Sequence, residues 1–425
     1  MSAVLRERLM RLVRAAIAAA DPAQCLAPHL PEPPKDRLIV LAAGKAAGSM
    51  AAAAARHYEA TGLDRSRMLG IAVTRHGYGM QAGIIPVIEA GHPVPDEAGI
   101  GATQSVLALA DSAGPDDLVL VLLSGGGSAN WIAPVDGLSL GDKQSLTRAL
   151  LRSGATIGEI NTVRRHLSAI KGGRLAARAA PAPVLTLAIS DVPGDNPEAI
   201  ASGPTVPDPA SLADARAILE RYRIRDKAVE RLLSDPANET PKPGDPLFSS
   251  TRFVLVSRPA DALAAAAREA EAMGYRVENL GDALEGEAWR LGAAQAKEAV
   301  GAEDGVVFIS GGEATVTVRG DGSGGPNQEY VLGAAIALSG EPGIAVIAGD
   351  TDGTDGGSGA ADDPAGAIAD ETTIARARAA GIDPAGMLAN NDSTHFFARL
   401  DDLVRTGPTY TNVNDFRAIL VDRQG

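Results

Sequence analysis

The sequence predicts an α/β protein in which a doubly wound amino-terminal domain is joined to a smaller α/β carboxy-terminal domain. Three observations carry that expectation. Leu-rich and β-branched runs at 37–42, 118–123, 184–189, 253–256, 306–309 and 344–348 alternate with longer helical patterns. They are apolar at nearly every position, as strands covered on both faces are, and this is the mark of largely parallel sheets. At 425 residues the chain exceeds what one hydrophobic core usually serves. Finally, residues 234–250, SDPANETPKPGDPLFSS, carry four prolines and no helical period, which sets a boundary between domains at 1–240 and 250–425.

In chain order, the first residues, MSAVLRERLMR, mix charge with Leu at helical spacing and read as an amphipathic helix, without the apolar stretch of a signal peptide. The strand at 37–42 breaks at Gly44-Lys45 into an alanine-rich helix, and the strand at 118–123 runs into Ser124-Gly-Gly-Gly-Ser128. A basic helical stretch spans 161–174, and the strand at 184–189 ends on Ser190-Asp191. Past the linker a new βα cycle starts at 252–256, followed by an alanine-rich helix over 259–273.

Composition narrows the partners. A formal charge of -14 argues against a nucleic-acid binder, which draws affinity from clustered Lys and Arg, and few aromatics (3%) suit helices packed closely on sheets. Cys25 is the only cysteine, so no intrachain disulfide or cysteine-rich zinc site can form, and a cytoplasmic setting fits. No apolar run reaches the length of a membrane span. The six histidines include no pair at helical zinc spacing. Small-molecule substrates are the expected partners, and a homodimer is compatible with all of this.

Ligands of open parallel sheets bind beyond the carboxyl ends of strands, so the strand-end loops are the candidates. Lys45 sits where a helix begins, a position that disfavours a cation unless it meets an anionic ligand; a solvated lysine is the alternative. Gly125, Gly126 and Gly127, flanked by Ser124 and Ser128, suit a phosphate cradle of backbone N–H and hydroxyl donors, where a tight turn would need one glycine. Arg164, Ser168 and Lys171 would share one helix face, able to hold a carboxylate or triphosphate; a solvated basic face explains the run equally well. Asp191 and Asp195 could hold Mg²⁺ or accept a hydroxyl proton, or could simply form Asx turns. In the second half, Ser310–Glu313, Gly322–Glu329 and the aspartates of 349–357 suit Mg²⁺ or ribose binding, or form an acidic surface loop. Asn327 and Asp352 are the nucleotide-binding candidates there. The last segment fails as an EF-hand, with Asp355 at the sixth position and Ala361 at the twelfth.

Gly44-Lys45, SGGGS at 124–128, VRRHLSAIKGG at 163–173, SDVPGD at 190–195, IASGPTVPDP at 200–209, GGPNQE at 324–329, DGTDG at 352–356 and TGPTYTNVNDF at 406–416 together resemble the glycerate 2-kinase family over almost the whole chain. The resemblance implies a Rossmann-like amino-terminal domain, an active site in the cleft between domains, and ATP with a divalent cation (Mg²⁺) converting D-glycerate to 2-phosphoglycerate. It implies that Lys45 is the catalytic lysine stabilising the transferring phosphoryl group, and that the glycine loop faces phosphate. The family often carries Arg within GGRNQE, where this chain has Pro326. Arg164 and Lys171 are the candidate substitutes. In this reading Asp191 orients or deprotonates the glycerate 2-hydroxyl and Arg164 grips the carboxylate. The rivals are an NAD(P)H-dependent hydroxypyruvate reductase, disfavoured because the first strand does not lead into GxGxxG, and a non-catalytic nucleotide- or sugar-acid-binding protein.

Overall fold

The computed structural model of the chain describes residues 2–357 and 360–423. They form two compact units, one of Cys25–Val256 and one that joins the segment through Gln24 to the segment from Ser257.

The first unit is built on a six-stranded sheet of β1 (Leu38–Ala43), β2 (Met68–Arg75), β3 (Val87–Ala90), β4 (Leu118–Leu123), β5 (Val184–Ile189) and β6 (Thr251–Ser257), in the order β3-β2-β1-β4-β5-β6. β1 pairs in parallel with both β2 and β4, and the β2–β3 and β4–β5 pairs are parallel too. Every residue of β1 and β5 is buried, which is why these strands read as apolar runs, broken only by Thr186 in β5. Ile39, Leu41, Val119, Val121, Leu123 and Ile170 belong to one core against the sheet. A second core, with Leu146, Leu150, Ile160, Val163 and Ile218, joins the helices Leu140–Ser153, Ile157–His166 and Leu212–Arg221. Each of these helices starts with a reciprocal capping box, Ser139/Asp142, Thr156/Glu159 and Ser211/Asp214 respectively.

The second unit holds β7 (Arg276–Asn279), β8 (Gly286–Glu287), β9 (Val306–Gly312), β10 (Ala314–Thr315), β11 (Ile344–Asp350), β12 (Gly366–Ala369), β13 (Leu403–Val404) and β14 (Asp415–Val421). Six of them form a sheet in the order β13-β12-β11-β14-β9-β7. Val331, Leu332, Ile344, Val346, Phe396 and Ile419 lie in its core. No helix among the described residues is long and apolar enough to cross a membrane.

Three expectations are corrected. The sequence TRFVLVS at 251–257 does not open the second domain; it supplies the sixth strand of the first sheet, and the proline-rich segment before it belongs to the first unit. That segment is anchored there by Glu239, which accepts a hydrogen bond from the Leu212 N–H at 3.1 Å, and by the Thr240 hydroxyl, which donates to Asp208 at 3.1 Å. The boundary therefore falls at 256/257 and not within 240–250. Second, the helix Ser2–Ala19 belongs to the second unit, where Leu5, Leu9 and Leu12 are buried and Arg6 bridges Asp370 and Asp402 at 3.0 and 2.7 Å. Third, the apolar runs at 306–309 and 344–348 lie in β9 and β11, which pair antiparallel with β14; β9 is parallel only to β7. Apolar runs report burial on both faces, and here that burial comes with mostly antiparallel pairing.

Candidate functional site

In the first unit the strand order reverses at β1 and β4, so the loops that follow these two strands flank the crevice where such sheets bind ligands. Both loops carry the residues singled out in the sequence. They are laced together: the Lys45 N–H donates to the Gly125 carbonyl at 2.8 Å, the Ala46 N–H to the Ser124 hydroxyl at 2.9 Å, and the Ser124 N–H to the Ala43 carbonyl at 3.0 Å. Gly44 is required for this approach. Its φ is +114°, and a β-carbon there would lie 2.7 Å from the Gly125 carbonyl oxygen and closer still to Ser124. Lys45 is half-buried just ahead of the helix Ala47–Ala60.

The glycine loop divides its labour. Ser124 is fully buried and its hydroxyl is engaged by Ala46, so it braces the loop from within. Gly126 takes a left-handed conformation (φ 85°) as the residue before the short helix Gly127–Asn130. Among the described residues, no protein acceptor pairs with the N–H groups of Gly125, Gly126 and Ser128, which leaves these donors for an anion. Gly127 packs where a β-carbon would lie 3.0 Å from the Ala201 methyl, and the Ser128 and Ser202 hydroxyls bond at 2.7 Å. The chain after β5 is thereby tied to the same loop.

On that chain Asp191 is half-buried directly beyond β5. Asp195 adopts φ 54°, and its Oδ1 is buried without a hydrogen-bond partner. The Asx turn in this segment is made by Asn196, whose Oδ1 accepts from the Glu198 N–H at 3.0 Å. Among the described residues no group of three or more His, Cys, Asp or Glu side chains is gathered as a metal cage. Mg²⁺ needs fewer, since it keeps waters and takes one or two carboxylates beside substrate phosphates.

The basic segment differs from expectation. The helix ends at His166, and Gly172 and Gly173 take φ 58° and 81°, so Arg164, Ser168 and Lys171 do not share a helix face. The cations separate into two groups. Arg165 pairs with buried Asp208 at 3.0 Å and His166 meets Glu239 at 3.0 Å, a structural network. Despite burial, hydrogen bonds from Lys242, the Leu212 N–H and His166 hold the Glu239 carboxyl down to about 2. Lys171 is fully buried and its ammonium donates to the Ser128 carbonyl at 2.8 Å, bracing the glycine loop from behind. Arg164 makes one long bond, to Asn161 Oδ1 at 3.4 Å. Lys143, which sequence gave no reason to notice, is buried and donates to the Leu167 carbonyl at 2.9 Å. Burial and the neighbouring cations push Lys143 down to about 7 and Lys171 well below its ordinary range; burial also lowers Arg164.

Two further residues escaped sequence reasoning. A β-carbon on Gly126 would lie 3.0 Å from the His92 ring and 3.6 Å from Lys45 Cγ, so His92 and Lys45 both stand against the glycine loop. Asn130 is fully buried at the end of the loop helix with neither amide atom hydrogen-bonded. Neither position carries a local sequence signal.

In the second unit Asn327 and Asp352 are both buried. The Asn327 amide donates to Asp355 at 3.2 Å and to Asp415 at 2.6 Å, and the backbone N–H groups of Asn327 and Gln328 donate to the Asp355 carboxylate at 2.9 and 2.8 Å. Asp355 thus caps the helix Pro326–Leu338. Burial, reinforced by Asp415 and opposed by those N–H bonds, pushes Asp355 up to about 7. Asp352 accepts from the Thr354 N–H and hydroxyl at 2.7 and 3.0 Å, shaping the loop after β11.

A family model described as a domain of unknown function (DUF4147) matches residues 8–234, and one described as the MOFRL family matches residues 306–415. A protein of Agrobacterium vitis provisionally named hydroxypyruvate reductase is 48% identical, covering 98% of this chain and 94% of its own. The D-glycerate 2-kinase of Thermotoga maritima is 42% identical over 97% of each chain. The crystal structure of glycerate kinase from Thermotoga maritima superposes with a TM-score of 0.87 at 40% identity, covering 98% of this chain and 99% of that one. With both strand-end loops in place and near full-length identity to named kinases, the chain belongs to the glycerate 2-kinase family.

Proposed function

We infer that this protein transfers the γ-phosphoryl group of ATP to the 2-hydroxyl of D-glycerate. The observation that carries this reading is the pairing of Lys45 with an anion-ready glycine loop at the point where a parallel sheet reverses its strand order. Phosphoryl transfer demands alignment and neutralisation of negative charge more than covalent help from the protein. The N–H groups of Gly125, Gly126 and Ser128 supply fixed donors for phosphate oxygens, and Lys45 supplies a cation beside them. In the proposed step the glycerate 2-hydroxyl oxygen bonds to the γ-phosphorus while the bond from that phosphorus to the ADP oxygen breaks. Asp191 takes the hydroxyl proton, and Arg164 holds the acceptor carboxylate. Bound Mg²⁺ would be held by Asp191 and Asp195 together with substrate phosphates, neutralising their charge. Asn327 and Asp352 shape the second unit's contribution to nucleotide binding.

The test is ADP release from ATP, Mg²⁺ and D-glycerate, with the product's phosphorylated carbon identified, beside a control with hydroxypyruvate and NAD(P)H. 2-Phosphoglycerate with an inert control is the expected result. Nicotinamide oxidation without ADP release would favour the name carried by the Agrobacterium vitis relative.

A further inference from the structure

The helix Leu140–Ser153 borders a hollow of about 350 Å³. Its size is at the lower end of small-molecule pockets, about 300–1,000 Å³. Its walls include Val94, Ile132, Leu151, Ile157 and Ile160, and three cations line it: Lys143, Arg164, and Arg148, which donates to the Ser145 hydroxyl. Two features are unusual together. Of the seven large hydrophobic side chains exposed among the described residues, three border this one hollow: Val94 (61%), Leu151 (61%) and Ile157 (67%). And neither Lys143 nor Arg164 has a carboxylate within ion-pair distance among the described residues; their only hydrogen bonds go to the Leu167 carbonyl and Asn161 Oδ1. Buried cations are ordinarily paired. Here the missing partner is an anion, and the surroundings of that anion are apolar.

We propose that this hollow binds an amphiphilic monocarboxylate, with the carboxylate against Lys143 and Arg164 and the hydrocarbon body against Val94, Ile132, Leu151, Ile157 and Ile160. Glycerate, whose three carbons carry two hydroxyls, cannot use such walls; the proposal meets the kinase reading only at Arg164, which there holds the acceptor carboxylate. The charge selects an acid over an alcohol of equal length. The walls select a long acid over a short one, by roughly threefold per buried methylene.

The experiment is calorimetric titration of the full chain at pH 7, without nucleotide or glycerate, using acetate, hexanoate, octanoate and 1-octanol as probes. Because no phosphoryl transfer takes place in it, failure here and failure of the kinase reading are separate results. Octanoate is expected to bind at least tenfold more tightly than either acetate or 1-octanol, with hexanoate in between. Lys143→Met removes an unpaired buried charge while keeping the chain's length; it is expected to stay folded, retain 1-octanol binding and lose the preference for octanoate at least tenfold. Leu151→Asp, at an exposed position that folding tolerates, is expected to weaken octanoate at least tenfold. Equal affinity for octanoate and 1-octanol, or octanoate binding unchanged in both variants, would overturn the proposal. So would sedimentation showing a dimer that Leu151→Asp separates while octanoate fails to bind, since the hollow would then be covered by a second copy of the chain.

Discussion

Replacing Gly44 with alanine tests whether the two strand-end loops act as one phosphate site. The added β-carbon would lie 2.7 Å from the Gly125 carbonyl oxygen and nearer still to Ser124, at a φ of +114° that side chains rarely adopt. The backbone conformation alone costs about 1–3 kcal/mol. Relieving the overlap requires the loops to part by several tenths of an ångström or more, which breaks or stretches the Lys45–Gly125 bond of 2.8 Å and the Ala46–Ser124 bond of 2.9 Å. Each is worth about 1 kcal/mol. The sum is a destabilisation of about 3–5 kcal/mol, measured by urea unfolding. The functional loss is separate, because a reacting group displaced by about 1 Å can cost about 100-fold in rate. ADP release, normalised to folded protein, is therefore expected to fall by about that factor. Gly62→Ala is the control: its φ is +87° but nothing lies within 4 Å of the added carbon, so it carries the strain without the collision and keeps full turnover. A Gly44→Ala enzyme that is destabilised yet turns over normally per folded molecule would refute the reasoning, because the loops would then matter to folding alone.

Lys45→Met should leave the fold intact and reduce kcat for ADP release by about 100-fold to 1,000-fold, the usual loss when one charge-stabilising group is removed; retention of full turnover by folded protein would remove the central role assigned to it. The contribution of Asp355 to stability against urea should rise as pH falls from about 7 towards 4, because Asp355, raised to about 7, holds its proton in the folded state over a window in which the unfolded chain releases it; it is read as the difference between the wild type and Asp355→Asn. Its share is at most about 4 kcal/mol, at roughly 1.4 kcal/mol per tenfold in proton affinity. Below about pH 4.5 Glu239 acts in the opposite sense: held down to about 2, it stabilises the fold as a carboxylate and loses that contribution as it protonates. Asp208→Ala strands the Arg165 guanidinium and should cost about 3–5 kcal/mol in the same assay. An acid that fills the hollow beside Lys143 should raise the KM for glycerate, since Arg164 would serve both carboxylates; steady-state kinetics with added octanoate would show it.

What the sequence discloses depends on whether a residue's role is local. β4 and β5 are found at their ends because nearly every position is apolar, Thr186 being the exception, and the glycine loop is legible because three successive glycines serve no ordinary turn. β14 was read only as part of a motif, because Asp415 and Arg417 interrupt its apolar run; each neutralises the other in the interior at 2.5 Å, a fact that spacing cannot reveal. The helix Ser2–Ala19 shows its apolar stripe plainly, yet the stripe says nothing of the surface that covers it, which lies some 250 residues further on in the helix Pro259–Ala272. His92, Asn130 and Lys143 are invisible for the same reason. Each matters through a neighbour that is distant in the chain or through the absence of one.

The substitution at Pro326 follows from this logic. Proline at the first turn of the helix Pro326–Leu338 is conformationally favourable, since its missing N–H is not needed there. The cost is a cation, if the family's arginine resides at that position. Arg417 cannot replace it: its terminal nitrogens are engaged by the Gly311 and Gly312 carbonyls, at 3.0 and 3.3 Å, and by Asp415, and the side chain is buried. Burial, reinforced by the neighbouring Asp415, is why Asp355 titrates so high. In the first unit Lys171 is engaged by the Ser128 carbonyl behind the glycine loop, and the proposed reaction assigns Lys45 and Arg164 to the reacting groups. On this reasoning an arginine restored at position 326 should raise kcat in the Lys45→Met background more than in the wild type, and equal effects in the two backgrounds would show that the groups do not share a role.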